Sequence, residues 1–117
     1  MQSILFILNE APYGSERVYN GLRLAAALCE RAAIQIRIFL MADSVGCAKS
    51  GQTVPSGHYN VEQMLAKLLR HNVQIGLCGS CMDARGIRDE ELMEGTRRSS
   101  MNQLGDWTVE AQKVLVS

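Results

Sequence analysis

Two cysteines three residues apart, in Leu77-Cys78-Gly79-Ser80-Cys81, are the side chains best placed to do chemistry in this chain. A thiolate is a nucleophile and a sulfur acceptor, whereas a thiol is neither to any useful degree. The preceding segment, Val73-Gln74-Ile75-Gly76-Leu77, reads as a strand, with Val73, Ile75 and Leu77 on one face and Gln74, Gly76 and Cys78 on the other. Cys78 then falls at the strand's carboxyl end, where open parallel sheets collect ligands and chemistry. A helix starting there would lower its pKa through free N–H groups. Gly79 and Ser80 let backbone N–H groups approach the sulfur, and Arg85 adds positive charge. The plain alternative is a buried strand-end thiol, since a single CxxC recurs by chance.

Cys81 reads as an accessory thiol. A disulfide with Cys78 is one reading, but thioredoxin-like pairs open the helix after the first strand of their unit. This pair follows a third strand, and no cis-proline partner is evident. One CxxC supplies only half of a tetrahedral zinc site. Cys29 falls on a helix core face, Cys47 lies in a long loop, and His58 and His71 are scattered, so no metal is expected. Asn9-Glu10-Ala11-Pro12-Tyr13-Gly14-Ser15 follows the first strand and matches neither a GxGxxG nor a Walker loop, so no nucleotide cofactor is expected. Because that loop tops a buried strand, Asn9, Glu10, Tyr13 and Gly14 join Gly79, Ser80 and Arg85 as pocket-lining candidates.

The elements that must position these residues alternate. Ile4 to Leu8 is a continuous apolar run, as expected of a parallel strand covered on both faces. Ser15 is placed to cap a helix on which Val18, Leu22, Ala25 and Cys29 form one stripe. Ile34 to Met41 is a second strand with a partly solvated start. Residues 42 to 60 form a long connection with room for a short helix around Val45 to Ala48. Asn60 and Gln63 resemble a capping box ahead of a stripe of Val61, Met64, Leu65, Leu68 and Leu69. After Cys78, Gly86 marks a helix stop and Asp89 to Glu94 a short helix. Gly95 to Ser99 is a strand or turn, Ser100 opens a helix through Ala111, and Lys113 to Val116 is a last strand. This order predicts one α/β domain over residues 1–117, with a mainly parallel sheet of about five strands and helices on both faces.

Twelve basic and twelve acidic residues leave no net charge, so no direct nucleic-acid partner is expected, and Arg97-Arg98 reads as a solvated pair. No apolar run approaches the ~20 residues that span a bilayer. The first residues lack a basic start, so no signal peptide is expected, and a cytoplasmic setting with reduced thiols follows.

The chain also resembles a known family. Asn9-Glu10-Ala11-Pro12-Tyr13-Gly14-Ser15-Glu16, Leu22-Arg23-Leu24-Ala25 and Arg37-Ile38-Phe39-Leu40-Met41-Ala42-Asp43 are similar to the DsrE/DsrF-like sulfur-relay family, in its YchN-like branch. Gly57-His58-Tyr59-Asn60 with Gln63-Met64-Leu65, then Leu77 through Ile87, Trp107-Thr108 and Lys113-Val114-Leu115 continue the likeness over the whole chain. The resemblance implies a three-layer α/β domain assembled as a homotrimer or hexamer in the cytosol. It implies that the strand-end cysteine, here Cys78, accepts a sulfane sulfur as a persulfide from a donor and passes it to an acceptor protein. Two other readings stand beside it: a non-catalytic oligomeric binding or assembly module, and a CxxC dithiol oxidoreductase.

Overall fold

In a computed structural model describing all 117 residues, five strands form one parallel sheet in the order β4-β3-β2-β1-β5. These are β1 (Gln2–Leu8), β2 (Ile34–Leu40), β3 (Gln74–Cys78), β4 (Thr96–Ser99) and β5 (Lys113–Val116). The helices are α1 (Arg17–Cys29), α2 (Val61–Arg70), α3 (Gly79–Ala84) and α4 (Met101–Glu110), with 3-10 turns at Ala42–Ala48 and Asp89–Glu91. The sheet grows from β1 to β4 in one direction and β5 then returns to the free side of β1. Right-handed crossovers put the helix of a reversed step on the opposite face. Accordingly α1 and α2 pack together on the face of Phe6, Leu8 and Ile38, while α4 packs on the face of Phe39 and Gly76.

The apolar runs explain the core. Leu5, Ile38, Phe39, Leu40 and Leu77 are fully buried in the three central strands, and Leu22 and Ala25 of α1 and Leu65 of α2 are buried with them. Each large buried side chain contributes about 1.5–3 kcal/mol. Asn60 caps α2 by accepting from the Gln63 N–H at 3.0 Å. At α1 the Ser15 hydroxyl accepts from the Arg17 N–H, so it serves the helix's first amide from two residues back. Gly86, at φ +67°, ends α3, and the Ile87 N–H closes back on the Met82 carbonyl.

Two local expectations, the Asp89 to Glu94 helix and the burial of Cys29, are revised. The helix proposed for Asp89 to Glu94 is only the turn Asp89–Glu91, and Thr96–Ser99 pairs with β3 as a true strand. The Gly76 face of β3 is covered by α4: a Cβ on Gly76 would meet the Trp107 ring at 3.4 Å, so the glycine admits the indole against the sheet. Cys29, in the last turn of α1, is only half-buried. No helix is long and apolar enough to cross a membrane.

Candidate functional site

The carboxyl end of β3 turns directly into α3, and Cys78 occupies the junction as the residue that caps that helix. Its Sγ accepts from the Cys81 N–H at 3.4 Å and lies 3.2 Å from the Ser80 hydroxyl. Cys78 retains only 6% exposure. Burial opposes ionisation, but the Cys81 thiol, the Ser80 hydroxyl and the backbone N–H groups of both residues together hold the Cys78 thiol below its ordinary pKa. Cys81 is pushed the other way, by burial first and then by its contact with Cys78.

Cys81 is also tied to the neighbouring strand end. The Ala42 N–H, just past β2, donates to Cys81 Sγ at 3.2 Å. Arg85 donates to the Cys81 carbonyl at 3.0 Å and to Asp43 at 2.9 Å. The guanidinium expected to face Cys78 thus clamps α3 to the loop after β2.

Gly79 has a packing reason to be glycine. A Cβ there would lie 2.8 Å from Arg98 Nη1 and 3.1 Å from the Ser99 carbonyl. Arg98 is the residue sequence reasoning missed. It is not a free surface cation: it donates to the Gly79 carbonyl at 3.1 Å, to Asp83 at 2.9 Å and to Asp89 at 2.8 Å. Its neighbour Ser99 is the register partner of Cys78. Adjacency to Ser99 in a strand beside β3 is the one signal that could have flagged it.

The first loop is placed differently from Cys78 and its donors. The Asn9 backbone N–H and side-chain amide both donate to the Ser117 carbonyl, at 2.8 and 3.3 Å. Glu10 is exposed, and Gly14 sits over Ala11. Tyr13, at φ +66°, donates its hydroxyl to Gln52 and accepts from the Val61 N–H at 2.9 Å. Gln52 in turn donates to the carbonyls of Cys47 and Lys49, at 2.8 and 2.9 Å. Tyr13 and Gln52 therefore brace the long 42–60 connection. None of Asn9, Glu10, Tyr13 and Gly14 hydrogen-bonds to Cys78 or Cys81, whereas Gly79, Ser80 and Arg85 adjoin them.

The remaining thiols differ. Cys47 is fully buried in the 3-10 helix, and burial drives its pKa up to about 12. Cys29 is raised by burial and by Glu30. It lies at the far end of the sheet, in a depression of about 290 Å³ shared with Ile34, His71 and Val73. No three His, Cys, Asp or Glu side chains converge as a metal site. A polar cleft of about 420 Å³, lined by Arg37, Gln74, Arg97, Ser99, Trp107 and Glu110 among others, opens on the α4 face.

A parallel α/β sheet that delivers a hydrogen-bonded thiol at a strand end, ahead of a short helix, defines a strand-end thiol protein of three-layer α/β architecture. The chain belongs to the DsrE/DsrF-like family, whose profile matches residues 2–117. It is 44% identical to the protein YchN of Escherichia coli K12 over 116 residues, 98% of either chain. It is 35% identical to an uncharacterized protein of Methanopyrus kandleri, across 96% of this chain and 91% of that one. The crystal structure of the E. coli YchN protein superposes with a TM-score of 0.94 at 43% identity, covering all of both chains. A protein of unknown function from Methanobacterium thermoautotrophicum shares the fold, with a TM-score of 0.83 at 14% identity and full coverage of both.

Proposed function

We propose that this protein is a cytoplasmic sulfane-sulfur carrier in a protein-to-protein relay, with Cys78 as the accepting thiol. The observation that carries the reading is the environment of Cys78. It is the one cysteine of four held below its ordinary pKa, and it stands at a strand end with the Ser80 hydroxyl and the Cys81 N–H against its sulfur. A thiolate attacks a donor's sulfane sulfur, and the persulfide then yields its outer sulfur to an acceptor thiol, by the exchange chemistry of disulfides. Membership of the DsrE/DsrF-like family supports the same reading.

The carrier acts as a homo-oligomer, trimer or hexamer, that meets donor and acceptor proteins. Supporting this, the edge strand β5 exposes Val114, Leu115 and Val116, and Val109 of α4 is 87% exposed. An unprotected apolar edge is a surface that natural proteins cover.

The test is intact-protein mass after incubation with thiosulfate. On brief incubation wild type gains one sulfur atom, removable by reductant; Cys78→Ser gains none; Cys81→Ser still gains it. Loss of the adduct in Cys81→Ser as complete as in Cys78→Ser would shift the assignment to a dithiol oxidoreductase. That second reading is favoured by one observation, the donation of the Cys81 N–H to Cys78 Sγ within the CxxC pair. Indifference to both substitutions would put the active thiol elsewhere, with Cys47 the next candidate, or leave a binding module. Light scattering at micromolar concentration tests the assembly, and a stable monomer contradicts it.

A further inference from the structure

Cys81 is held against Cys78 more firmly than a bystander needs. Its N–H donates to Cys78 Sγ at 3.4 Å, and it lies in the first turn of the short helix that Cys78 caps. Its own sulfur is held by the Ala42 N–H at 3.2 Å. Ala42 has a φ of +52°, a left-handed conformation that costs a residue bearing a Cβ about 1–2 kcal/mol. Such strain persists only where the surroundings over-determine it, and it concentrates at working sites. Here it aims a backbone donor at a sulfur. Arg85 fixes the same turn by joining the Cys81 carbonyl to Asp43.

We propose that Cys81 is a resolving thiol that discharges the sulfur carried on Cys78 and releases it as sulfide. This rests on the persulfide reading above. The Cys81 thiol gives its proton to solvent, and its sulfur bonds to Cys78 Sγ. The bond between Sγ and the outer sulfur breaks, and that sulfur leaves with the electron pair as hydrosulfide. The two cysteines lose two electrons in becoming a disulfide, and the sulfane sulfur gains two in becoming sulfide. A single discharge needs no outside oxidant or reductant. A further round needs an external dithiol to reopen the disulfide. The protein would thus pass sulfur on as sulfide as well as by contact with an acceptor.

Two measurements test this on the full chain, with Cys29→Ser in every arm to remove the half-exposed competing thiol. The first uses an aromatic disulfide reagent that leaves a nitrothiobenzoate on Cys78. With Cys81 present, a second nitrothiobenzoate is expelled and the protein retains no label; with Cys81→Ser the label stays. The second loads Cys78 from thiosulfate, which gives sulfite and no sulfide, and follows free sulfide against protein mass. Cys81→Ser keeps its persulfide and releases sulfide at least about tenfold more slowly, because a positioned neighbouring group acts at high effective concentration. Persulfide formation in that variant also shows that its site is folded. Equal release by both proteins, with persulfide seen in both, overturns the discharge and leaves the carrier standing. Absence of persulfide in every arm, with the label still expelled, overturns carrier and discharge together and leaves a dithiol pair.

Discussion

Cys78 and Cys47 are both buried, at 6% and 0% exposure, yet their environments push their thiols in opposite directions. The difference lies in what surrounds the sulfur. At Cys78 the chain leaves a strand and enters a helix, so N–H groups not yet used by the helix face the side chain. At Cys47 the side chain enters the core, and a backbone hydrogen bond offsets only part of the loss of water. Two cysteines of low exposure thus become a poised thiol near the surface and an inert one deep in the core. Residue exposure alone is a poor guide to reactivity; depth and the hydrogen-bond inventory decide it together.

The widest expected gap is in alkylation. With a pKa of about 12, Cys47 has a thiolate fraction of roughly 10⁻⁵ at pH 7. Cys78 should label first, Cys29 later, and Cys47 only on unfolding. The Cys78 rate should reach half its maximum below pH 9.0, the ordinary thiol value. Peptide mapping after brief labelling checks the order, and labelling of native Cys47 ahead of Cys78 would reverse the comparison.

The same contrast has a thermodynamic side. Cys47 is raised on folding from 9.0 to about 12, so the folded state favours the protonated form. Its contribution is fully present below pH 9.0 and is lost as pH rises toward 12, by roughly 4 kcal/mol in all. Urea unfolding at stepped alkaline pH should show this loss. Cys47→Ala, though less stable at neutral pH through its small cavity, should show a shallower alkaline decline.

Gly79→Ala tests the packing that positions Cys78. The new Cβ would meet the Ser99 carbonyl, which is backbone and cannot swing away. The expected loss is about 1–3 kcal/mol in urea unfolding, with slower Cys78 labelling. Unchanged stability would mean that α3 shifts freely on β4. The smallest effect is expected from Ser80→Ala. It removes one of several donors to Cys78 and should move the midpoint of the labelling profile upward without a measurable loss of stability. A downward or absent shift would remove Ser80 from the account of the low pKa.

Much of this was legible in the chain. Continuous apolar runs at Ile4–Leu8 and Phe39–Met41 could only be strands covered on both faces, and Cys78 followed from its distance past Val73. The relative burial of Cys29 and Cys47 was not legible. A helical stripe says which residues share a face, but not where the facing sheet stops. The 3-10 helix holding Cys47 is buried by distant chain: Pro12 lies 3.7 Å from where a Cβ on Gly46 would sit. Arg98 was hidden for a similar reason. Its three acceptors come from α3 and the Asp89–Glu91 turn, and four strand residues carry no trace of either. Tyr13 was read as a pocket-lining residue, but its hydroxyl pairs with Gln52 and the Val61 N–H, thirty-nine and forty-eight residues on.

The chain carries one tryptophan, and it is wedged in one place. Trp107 meets Phe39 edge-on at 6.3 Å, has the Arg37 guanidinium 5.3 Å over its ring, and rests on Gly76, one pleat from Cys78 on the same side of β3. Its ultraviolet emission therefore belongs to a single spot, with no second indole to dilute it. The protein carries its own optical probe against Gly76, two residues along β3 from Cys78, and a change in its emission is the expected signal of loading or emptying that thiol.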